Sequence, residues 1–252
     1  MVGARLIVMI DAIFASSVTL LEEALQDVDD QPVLHLMLAS PGGDGEVAVR
    51  LIRSLQARCS KLRIIVPDMA KSAGTIMCLG ANEILMGPSG DLGPIDPQFP
   101  VAGRGLVGAK EIEAAVESAD ARVQAAPDTF PLYAGLLSDV NMLMVEQARS
   151  ATKRSYSLLK EALEGAHGNQ AEELGERLKG PLVDEATYHG AAIGPASAAA
   201  LGLPVIEADT AGREWALIWA LWTRYFAMGC FPAGNASVYE GRRASQVTPH
   251  MA

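Results

Sequence analysis

The sequence has few cysteines, fewer basic than acidic residues and no long hydrophobic run. Its three cysteines, Cys59, Cys78 and Cys230, are odd in number and widely spaced. This pattern fits neither a disulfide framework nor a zinc site and indicates a reducing compartment. With 20 lysines and arginines against 30 aspartates and glutamates, the formal net charge is −10. That charge argues against nucleic acid as the main partner, because phosphate binding needs a basic face.

Membrane and metal signals are also missing. No apolar stretch reaches the roughly 18 residues that span a bilayer. The apolar run at residues 6–10 is interrupted at once by Asp11, so a strand fits it better than a signal peptide. No group of His, Cys, Asp and Glu has metal-ligand spacing. We therefore expect a cytoplasmic protein that has no membrane association, no metal and no other cofactor.

Short apolar runs alternate with helical patterns through the first 90 residues. Strands are predicted at residues 6–10, 33–38, 62–66 and 83–86, with helices between them. This alternation predicts an α/β fold of βαβ units, with a mostly parallel sheet and helices outside it. Residues 1–208 are predicted to form the domain. Residues 209–252, an aromatic helix followed by a poorly ordered tail, are predicted to extend it.

A glycine-rich turn, S-P-G-G-D-G at residues 40–45, lies between a predicted strand and a predicted helix. Backbone amides freed in such a turn can bind an anion, as a phosphate loop or as an oxyanion hole. A P-loop would need Gly-Lys-Ser/Thr to close the motif, and a dinucleotide fingerprint would need a glycine where Ala48 stands. Taken alone, this motif could also be a plain strand-to-helix turn that binds nothing.

Ser72, in M-A-K-S-A-G-T at residues 69–75, follows the next predicted strand. A serine between small residues at such a turn can expose its hydroxyl beside a helix N-terminus, which favours negative charge. It can also simply cap the helix, which is a common role for serine. Both turns end neighbouring parallel strands, so they lie near the same sheet edge. An amide pocket beside an exposed serine is the pair that acyl transfer requires.

Four motifs together resemble the ClpP/SppA peptidase superfamily in order and spacing. They are A-S-P-G-G at 39–43, S-A-G at 72–74, G-A-N-E-I at 80–84 and G-P-S-G-D-L-G-P-I at 87–95. The G-P-I-D-P-Q run at 93–98 and the Y-H-G at 188–190 are similar to the serine dehydrogenase proteinase family. The resemblance spans roughly residues 5–207, although residues 105–139 match nothing within it. It implies a ClpP/crotonase-like spiral fold, a homo-oligomer and a serine endopeptidase acting on a peptide or protein substrate.

The resemblance also implies roles for individual residues. Ser72 corresponds to the nucleophile, and Gly43 and Ala73 correspond to the amide donors of the oxyanion hole. The segment at 42–45 would pair with an extended substrate, and its implied substrate-binding residues are Gly42, Asp44 and Gly45.

The general base departs from the ClpP pattern. Asp96 stands where ClpP has its histidine, whereas the SppA branch uses a lysine. A lysine base must be neutral, so its pKa must fall from about 10.4 to roughly 7–8. We predict Lys153 as the base, on a helix where the family's lysine is found. Lys110, Lys160 and His189 are the alternatives.

Two other functions remain open on this fold. One is a non-catalytic ClpP-like scaffold that binds peptides or proteins. The other is a crotonase-type acyl-CoA enzyme, which would bind the CoA phosphates through basic residues, and no basic cluster lies near the glycine turn. The helix that carries Trp215, Trp219 and Trp222 could pack in the core or form the subunit interface, where tryptophan is enriched. We predict the interface.

Overall fold

The computed structural model describes residues 5–101, 103, 105–184 and 191–249. The strands are β1 (Arg5–Ile10), β2 (Gln31–Ala39), β3 (Cys59–Val66), β4 (Met69–Ala70), β5 (Glu83–Met86), β6 (Asp91–Leu92), β7 (Gln98–Val101), β8 (Gly105–Gly108), β9 (Val205–Glu207), β10 (Ala236–Glu240) and β11 (Ser245–Pro249). The helices are α1 (Ala15–Ala24), α2 (Gly45–Gln56), α3 (Ala73–Leu79), α4 (Ala109–Ala125), α5 (Phe130–Leu136), α6 (Met142–His167), α7 (Ala171–Lys179), α8 (Pro195–Ala200) and α9 (Arg213–Ala227).

The central sheet has the strand order β11-β10-β1-β2-β3-β5-β9 in the described part of the chain. Strands β1, β2, β3, β5 and β9 pair in parallel, whereas β10 and β11 pair antiparallel. The predicted α/β class with a mostly parallel sheet is therefore confirmed. The four predicted early strands correspond to β1, β2, β3 and β5.

Both faces of the sheet are covered, which explains why its central strands are apolar almost without a break. One face packs against helices α1, α2, α3, α6 and α7, and its core includes Leu36 and Ile64. The opposite face packs against α9, and its core includes Met37 and Ile65. Neighbouring residues of one strand thus point into different cores, as the twofold period of a strand requires.

Helix α2 begins beside the glycine turn because Asp44 caps it. The Asp44 carboxylate accepts hydrogen bonds from the backbone N–H groups of Glu46 (2.8 Å) and Val47 (3.3 Å). Such a cap stabilises a helix by about 1 kcal/mol and fixes where it starts. The buried face of α2 then packs on the sheet, so the turn is held at the carboxyl edge of β2.

The C-terminal segment differs from the prediction of a poorly ordered tail. Strand β10 pairs with β1 in the register Val8↔Glu240, and β11 pairs with β10. Tyr239 is buried, and its hydroxyl donates a hydrogen bond to Asp11 (3.0 Å). The prediction relied on Gly, Ser and Arg content and missed the short buried run at residues 237–239, which lies in β10 at the edge of β1.

The three tryptophans of α9 divide between the core and the surface. Trp215 and Trp222 are buried against the sheet, whereas Trp219 is 43% exposed and stacks on Trp215 at 5.8 Å between ring centroids. Two of the three side chains predicted for a subunit interface are therefore part of the monomer core. Among the described helices, none is both long and apolar enough to cross a bilayer.

Candidate active site

The glycine turn and the serine turn lie side by side because the ends of β2 and β4 pair. Ser40 donates from its backbone N–H to the carbonyl of Met69 (3.0 Å), and the Ser40 carbonyl accepts from the N–H of Lys71 (3.0 Å). This bridge extends the parallel pairing beyond the sheet proper. It brings two segments that are about 30 residues apart in sequence to one edge, as the motif spacing predicts.

The glycine turn needs glycine at two successive positions. Gly42 and Gly43 have φ values of +107° and +139°, which side chains rarely adopt. A Cβ atom on Gly42 would lie 2.8 Å from the Cβ of Ser72, and one on Gly43 would lie 2.1 Å from the carbonyl oxygen of Ile13. The backbone can therefore approach both neighbours only without a side chain. The buried Ser40 hydroxyl accepts the N–H of Gly42 (3.1 Å) and fixes the turn.

Ser72 has an unusual backbone for a residue with a side chain. Its φ of 48° and ψ of −111° put it in the left-handed half of conformational space. Strain of this kind costs about 1–3 kcal/mol and concentrates at functional sites. Helix α3 begins at the next residue, so Ser72 stands on a sharp strand-to-helix turn with its side chain half-buried. This is the geometry that presents a nucleophile.

Two backbone N–H groups next to Ser72 are left without a backbone acceptor in the described part of the chain. One belongs to Gly43, whose neighbours Gly42 and Asp44 both bond to Ile13 while its own N–H takes no part. The other belongs to Ala73, the first residue of α3, whose nitrogen lies 3.5 Å from the position of a Cβ on Gly42. Both residues line the same cavity as Ser72. Two donors beside one hydroxyl can stabilise an oxyanion.

Thr75 connects the serine turn to the chain segment that follows β6. Its buried hydroxyl lies 2.8 Å from the carbonyl oxygen of Ala70 and 2.9 Å from that of Gly93, and it accepts the N–H of Gly93 (3.0 Å). The segment leading to Asp96 is therefore held against the turn of Ser72. Sequence reasoning missed Thr75, because a threonine within a short helix carries no motif of its own.

The cavity around Ser72 has a volume of about 310 Å³. Apolar side chains form much of its wall, namely Ala73, Ile76, Ile95, Pro97, Ala151 and Leu158. The charged side chains that line it are Asp44, Glu46, Asp96 and Arg154. The lining therefore combines an apolar wall with three carboxylates and one guanidinium.

Arg154 of α6 closes one side of the cavity through ion pairs. Its guanidinium donates to both carboxylate oxygens of Glu46 (2.6 and 2.7 Å) and to Glu161 (2.6 Å). Glu161 in turn accepts from Arg53 (3.0 Å). The hydrogen bond from Arg154 lowers the pKa of Glu46, because it stabilises the charged carboxylate. The network joins the start of α2 to α6 across the cavity mouth.

The structure does not bring the predicted base to Ser72. Lys153 is exposed and is absent from the described lining of the cavity. At 100° per residue it lies roughly 200° around α6 from Ala151, which does line the cavity. The cavity thus faces the side of α6 that carries Ala151 and Leu158, and Lys153 lies on another side of this helix. The base remains a prediction.

The other candidate bases have different surroundings. Lys110, the second residue of α4, lies 3.9 Å from Asp184, and Lys160 pairs with Glu172 (2.8 Å) at the surface. His189, with the rest of the Y-H-G motif, lies outside the described residues. Lys71, next to Ser72 in sequence, donates to Asp91 and to two backbone carbonyls, so its ammonium is already bound.

Asp96 lines the cavity as a buried carboxylate, with 6% of its surface exposed. Its Oδ2 accepts a hydrogen bond from Gln98 Nε2 (2.7 Å), and it lies against Gly108 at the start of α4. The residue that departs from the ClpP pattern is therefore inside the candidate site.

Two relatives match parts of this chain by sequence. Uncharacterized protein MJ0137 of Methanocaldococcus jannaschii is 39% identical over 70 residues, which cover 28% of this chain and 24% of that protein. Uncharacterized protein MJ1495 of the same organism is 26% identical over 151 residues, which cover 60% of this chain and 45% of that protein. The chain thus spans less than half the length of these relatives.

Two solved structures share the fold. One is a lysine-to-alanine mutant of the 1510-N membrane-bound stomatin-specific protease in complex with a substrate peptide, with a TM-score of 0.51, 17% identity and coverage of 82% of this chain and 75% of that chain. The other is a serine-to-alanine mutant of the same protease, with a TM-score of 0.50, 16% identity and coverage of 81% and 78%.

Residues 12–205 match the sequence model of the ClpP-like SDH-type serine proteinase family. The matched range contains the glycine turn, Ser72, Asp96 and helix α6. The family that the motifs predicted is confirmed: this chain belongs to the ClpP-like SDH-type serine proteinases.

Proposed function

We propose that the chain hydrolyses peptide bonds with Ser72 as the nucleophile. The observation that supports this most is the left-handed backbone of Ser72 between a glycine turn and the start of a helix. The Ser72 oxygen attacks the substrate carbonyl carbon while a base takes the hydroxyl proton. The N–H groups of Gly43 and Ala73 donate to the resulting oxyanion. The C–N bond then breaks as the base returns the proton to the leaving amine, and water releases the acyl group.

The substrate is proposed to be an extended peptide or protein segment. Gly42, Asp44 and Gly45 would receive it along the turn, because this backbone runs past Ser72 without bulky side chains. The mostly apolar cavity wall, formed in part by Ile76 and Leu158, suits a peptide side chain. One structural neighbour, a protease mutant, is described as holding a substrate peptide.

The base is proposed to be a lysine, with Lys153 as the prediction from sequence. The neighbouring protease has been studied as a lysine mutant and as a serine mutant, which fits a serine and lysine pair. Lys153 lies on a side of α6 that does not line the cavity, so its side chain would have to pass around the helix to reach Ser72. Lys110 is two residues after Gly108, whose backbone lies close to the Asp96 carboxylate. His189 remains the competing base. No cofactor is required for this chemistry.

The nucleophile can be tested without knowing the natural substrate. Intact-mass analysis after treatment with a fluorophosphonate should show one adduct on the wild type and none on Ser72→Ala. Ser89→Ala, which removes an exposed serine of the neighbouring motif, is the matched control and should label normally. Equal labelling of wild type and Ser72→Ala would contradict the proposal and favour a non-catalytic peptide-binding scaffold.

The base can be identified by the same reaction. For a lysine base, the labelling rate should rise with pH, with a midpoint well below 10.4. Removing that lysine should lower the rate about as much as removing Ser72 does, because members of a catalytic unit act together. Lys153→Met and Lys110→Met are compared with Lys160→Met, whose ammonium is paired at the surface. Normal labelling in Lys153→Met with loss in Lys110→Met or His189→Ala would refute Lys153.

We also propose a homo-oligomer in the cytoplasm. The three cysteines are free in the structure, which fits a reducing compartment. The exposed apolar side chains of α9, Trp219 and Phe226 among them, could be covered by a second copy.

A further inference from the structure

A second cavity lies under helix α9, on the face of the sheet opposite the Ser72 cavity. It has a volume of about 270 Å³, and most of its lining is apolar. Met37 and Ile65, which are partners on neighbouring strands, line it from the sheet and belong to the core that packs against α9. Ile76 and Leu158 of the Ser72 cavity belong to the core on the other face. The sheet therefore separates the two cavities.

Helix α9 lines this cavity with side chains at helical spacing. Glu214, Leu217, Ile218 and Leu221 follow one another at positions i, i+3, i+4 and i+7, so they share one helix face. Leu217 is 57% exposed, and Leu6 of β1, which also lines the cavity, is 41% exposed. A ligand that covers these apolar side chains removes them from water, which favours its binding.

The buried polar group of this cavity is His35. It lines the cavity beside Met37, and only 8% of its surface is exposed. Among the described residues, its imidazole makes no hydrogen bond, and Arg63 and Glu214 act on it through their charges alone. Most buried polar side chains in proteins have a hydrogen-bond partner. An unpartnered imidazole on a cavity wall therefore indicates a ligand that supplies the missing hydrogen bond.

The charges around His35 compensate one another. Arg63 donates to Glu214 (2.9 Å) and to Glu83 (3.3 and 3.0 Å), and Glu83 also pairs with Lys61. Burial lowers the pKa of His35, and the charge of Arg63 lowers it further, so the neutral imidazole is favoured. A neutral imidazole offers one N–H donor and one acceptor nitrogen. The matching ligand group is uncharged, because a charged group would be buried here without a free counter-charge.

We propose that this cavity binds a small uncharged molecule with an apolar body and one hydroxyl group, such as an alkylphenol. The apolar body packs against Met37, Ile65 and the leucines of α9, and the hydroxyl forms a hydrogen bond with His35. The volume of about 270 Å³ is slightly below the roughly 300–1,000 Å³ of sites for drug-sized ligands, so the ligand is smaller than those. A molecule of about ten non-hydrogen atoms should bind with a Kd of roughly 0.1–1 mM.

The test titrates 4-propylphenol into the methyl-labelled protein and follows the methyl signals by NMR. The signals of Leu217 and Ile218 should shift and give a Kd below about 1 mM. Those of Ile76 and Leu158 in the Ser72 cavity should stay in place. The ligand 4-propylbenzoate has the same apolar body but carries a charge, so it should bind more weakly than 4-propylphenol.

Three variants test the residues that form the site. His35→Leu keeps the lining apolar but removes the hydrogen bond, so it should weaken binding of 4-propylphenol about 3- to 10-fold. Leu217→Gln removes an apolar wall that the ligand covers and should weaken binding by a similar factor. Phe226→Gln is the matched control, because Phe226 is an exposed apolar residue of α9 outside the described lining of the cavity. It should bind the ligand as the wild type does.

The outcomes that would overturn the site are distinct. One is a wild type whose signals do not shift up to about 5 mM ligand. Another is a shift at Ile76 or Leu158 in place of Leu217. An unchanged Kd in a folded His35→Leu would overturn the hydroxyl contact. If His35→Leu fails to fold, an equal Kd in Leu217→Gln and Phe226→Gln would overturn the site.

Discussion

Replacing Thr75 with valine should destabilise the protein and slow the reaction of Ser72. The substitution keeps the β-branched shape but removes a buried hydroxyl that contacts the carbonyls of Ala70 and Gly93 and the N–H of Gly93. One hydroxyl supplies one proton, so it donates to one of the two carbonyls at a time while its oxygen accepts the N–H of Gly93. The valine variant leaves one buried N–H and at least one carbonyl without that partner.

The magnitude follows from those two groups. A buried polar group that loses its partner costs about 1–3 kcal/mol, so two such groups lower the free energy of unfolding by about 2–6 kcal/mol. Thr75→Ser keeps the hydroxyl and removes one methyl group, which costs about 1 kcal/mol. For a chain of 252 residues, the valine variant should lower the melting temperature by roughly 4–24 °C.

Urea unfolding followed by circular dichroism measures both variants against the wild type, and fluorophosphonate labelling of the folded proteins measures the site. The labelling rate should fall more in Thr75→Val than in Thr75→Ser, because the hydroxyl holds the turn of Ser72 against the segment that leads to Asp96. If Thr75→Val is as stable as Thr75→Ser or more stable, the reasoning is refuted, since shape rather than hydrogen bonding would then matter.

Three further substitutions test other parts of the structure. Gly43→Ala should cost more than the 1–3 kcal/mol of a strained backbone and should abolish Ser72 labelling, because its Cβ would lie 2.1 Å from the Ile13 carbonyl oxygen; wild-type Tm and labelling would contradict this. Burial lowers the pKa of His35 in the folded chain. Below about pH 6.5 the unfolded chain therefore binds a proton at His35 more readily than the folded chain does, and stability should fall as the pH drops. His35→Leu should flatten that decline in thermal unfolding between pH 5 and 7.5, and an unchanged slope would exclude His35 as the cause. Trp219→Glu should lower the oligomer mass in light scattering, and a wild type that is monomeric at micromolar concentration would refute the oligomer.

The parallel sheet and the two turns could be predicted from the sequence because their signals are local. Buried strands give apolar runs, and successive glycines such as Gly42 and Gly43 mark a turn whose backbone residues with side chains rarely adopt. The positions of Ser72 and Gly43 at one edge follow from the rule that parallel strands end together. The family match could then be anticipated from four short motifs in order.

The features that could not be predicted depend on contacts between distant segments. Thr75 acts through Gly93, 18 residues away, and Arg154 pairs with Glu46 across 108 residues. Neither pair leaves a pattern in the sequence. The sequence predicts that Lys153 lies on a helix, but it does not say which side of that helix faces the cavity. The C-terminal strands were missed because each is only five residues long.

The local strain at Ser72 explains why so many hydrogen bonds converge around it. A non-glycine residue at φ 48° relaxes unless its neighbours are fixed. Ser40 fixes the chain on one side through Gly42 and through the bridge to β4, and Thr75 fixes it on the other. The same hydrogen bonds hold the free N–H groups and the inner wall that contains Asp96 in a constant geometry. Loosening either support should therefore affect Ser72 reactivity before it affects the fold of the sheet, since the sheet has its own core on both faces.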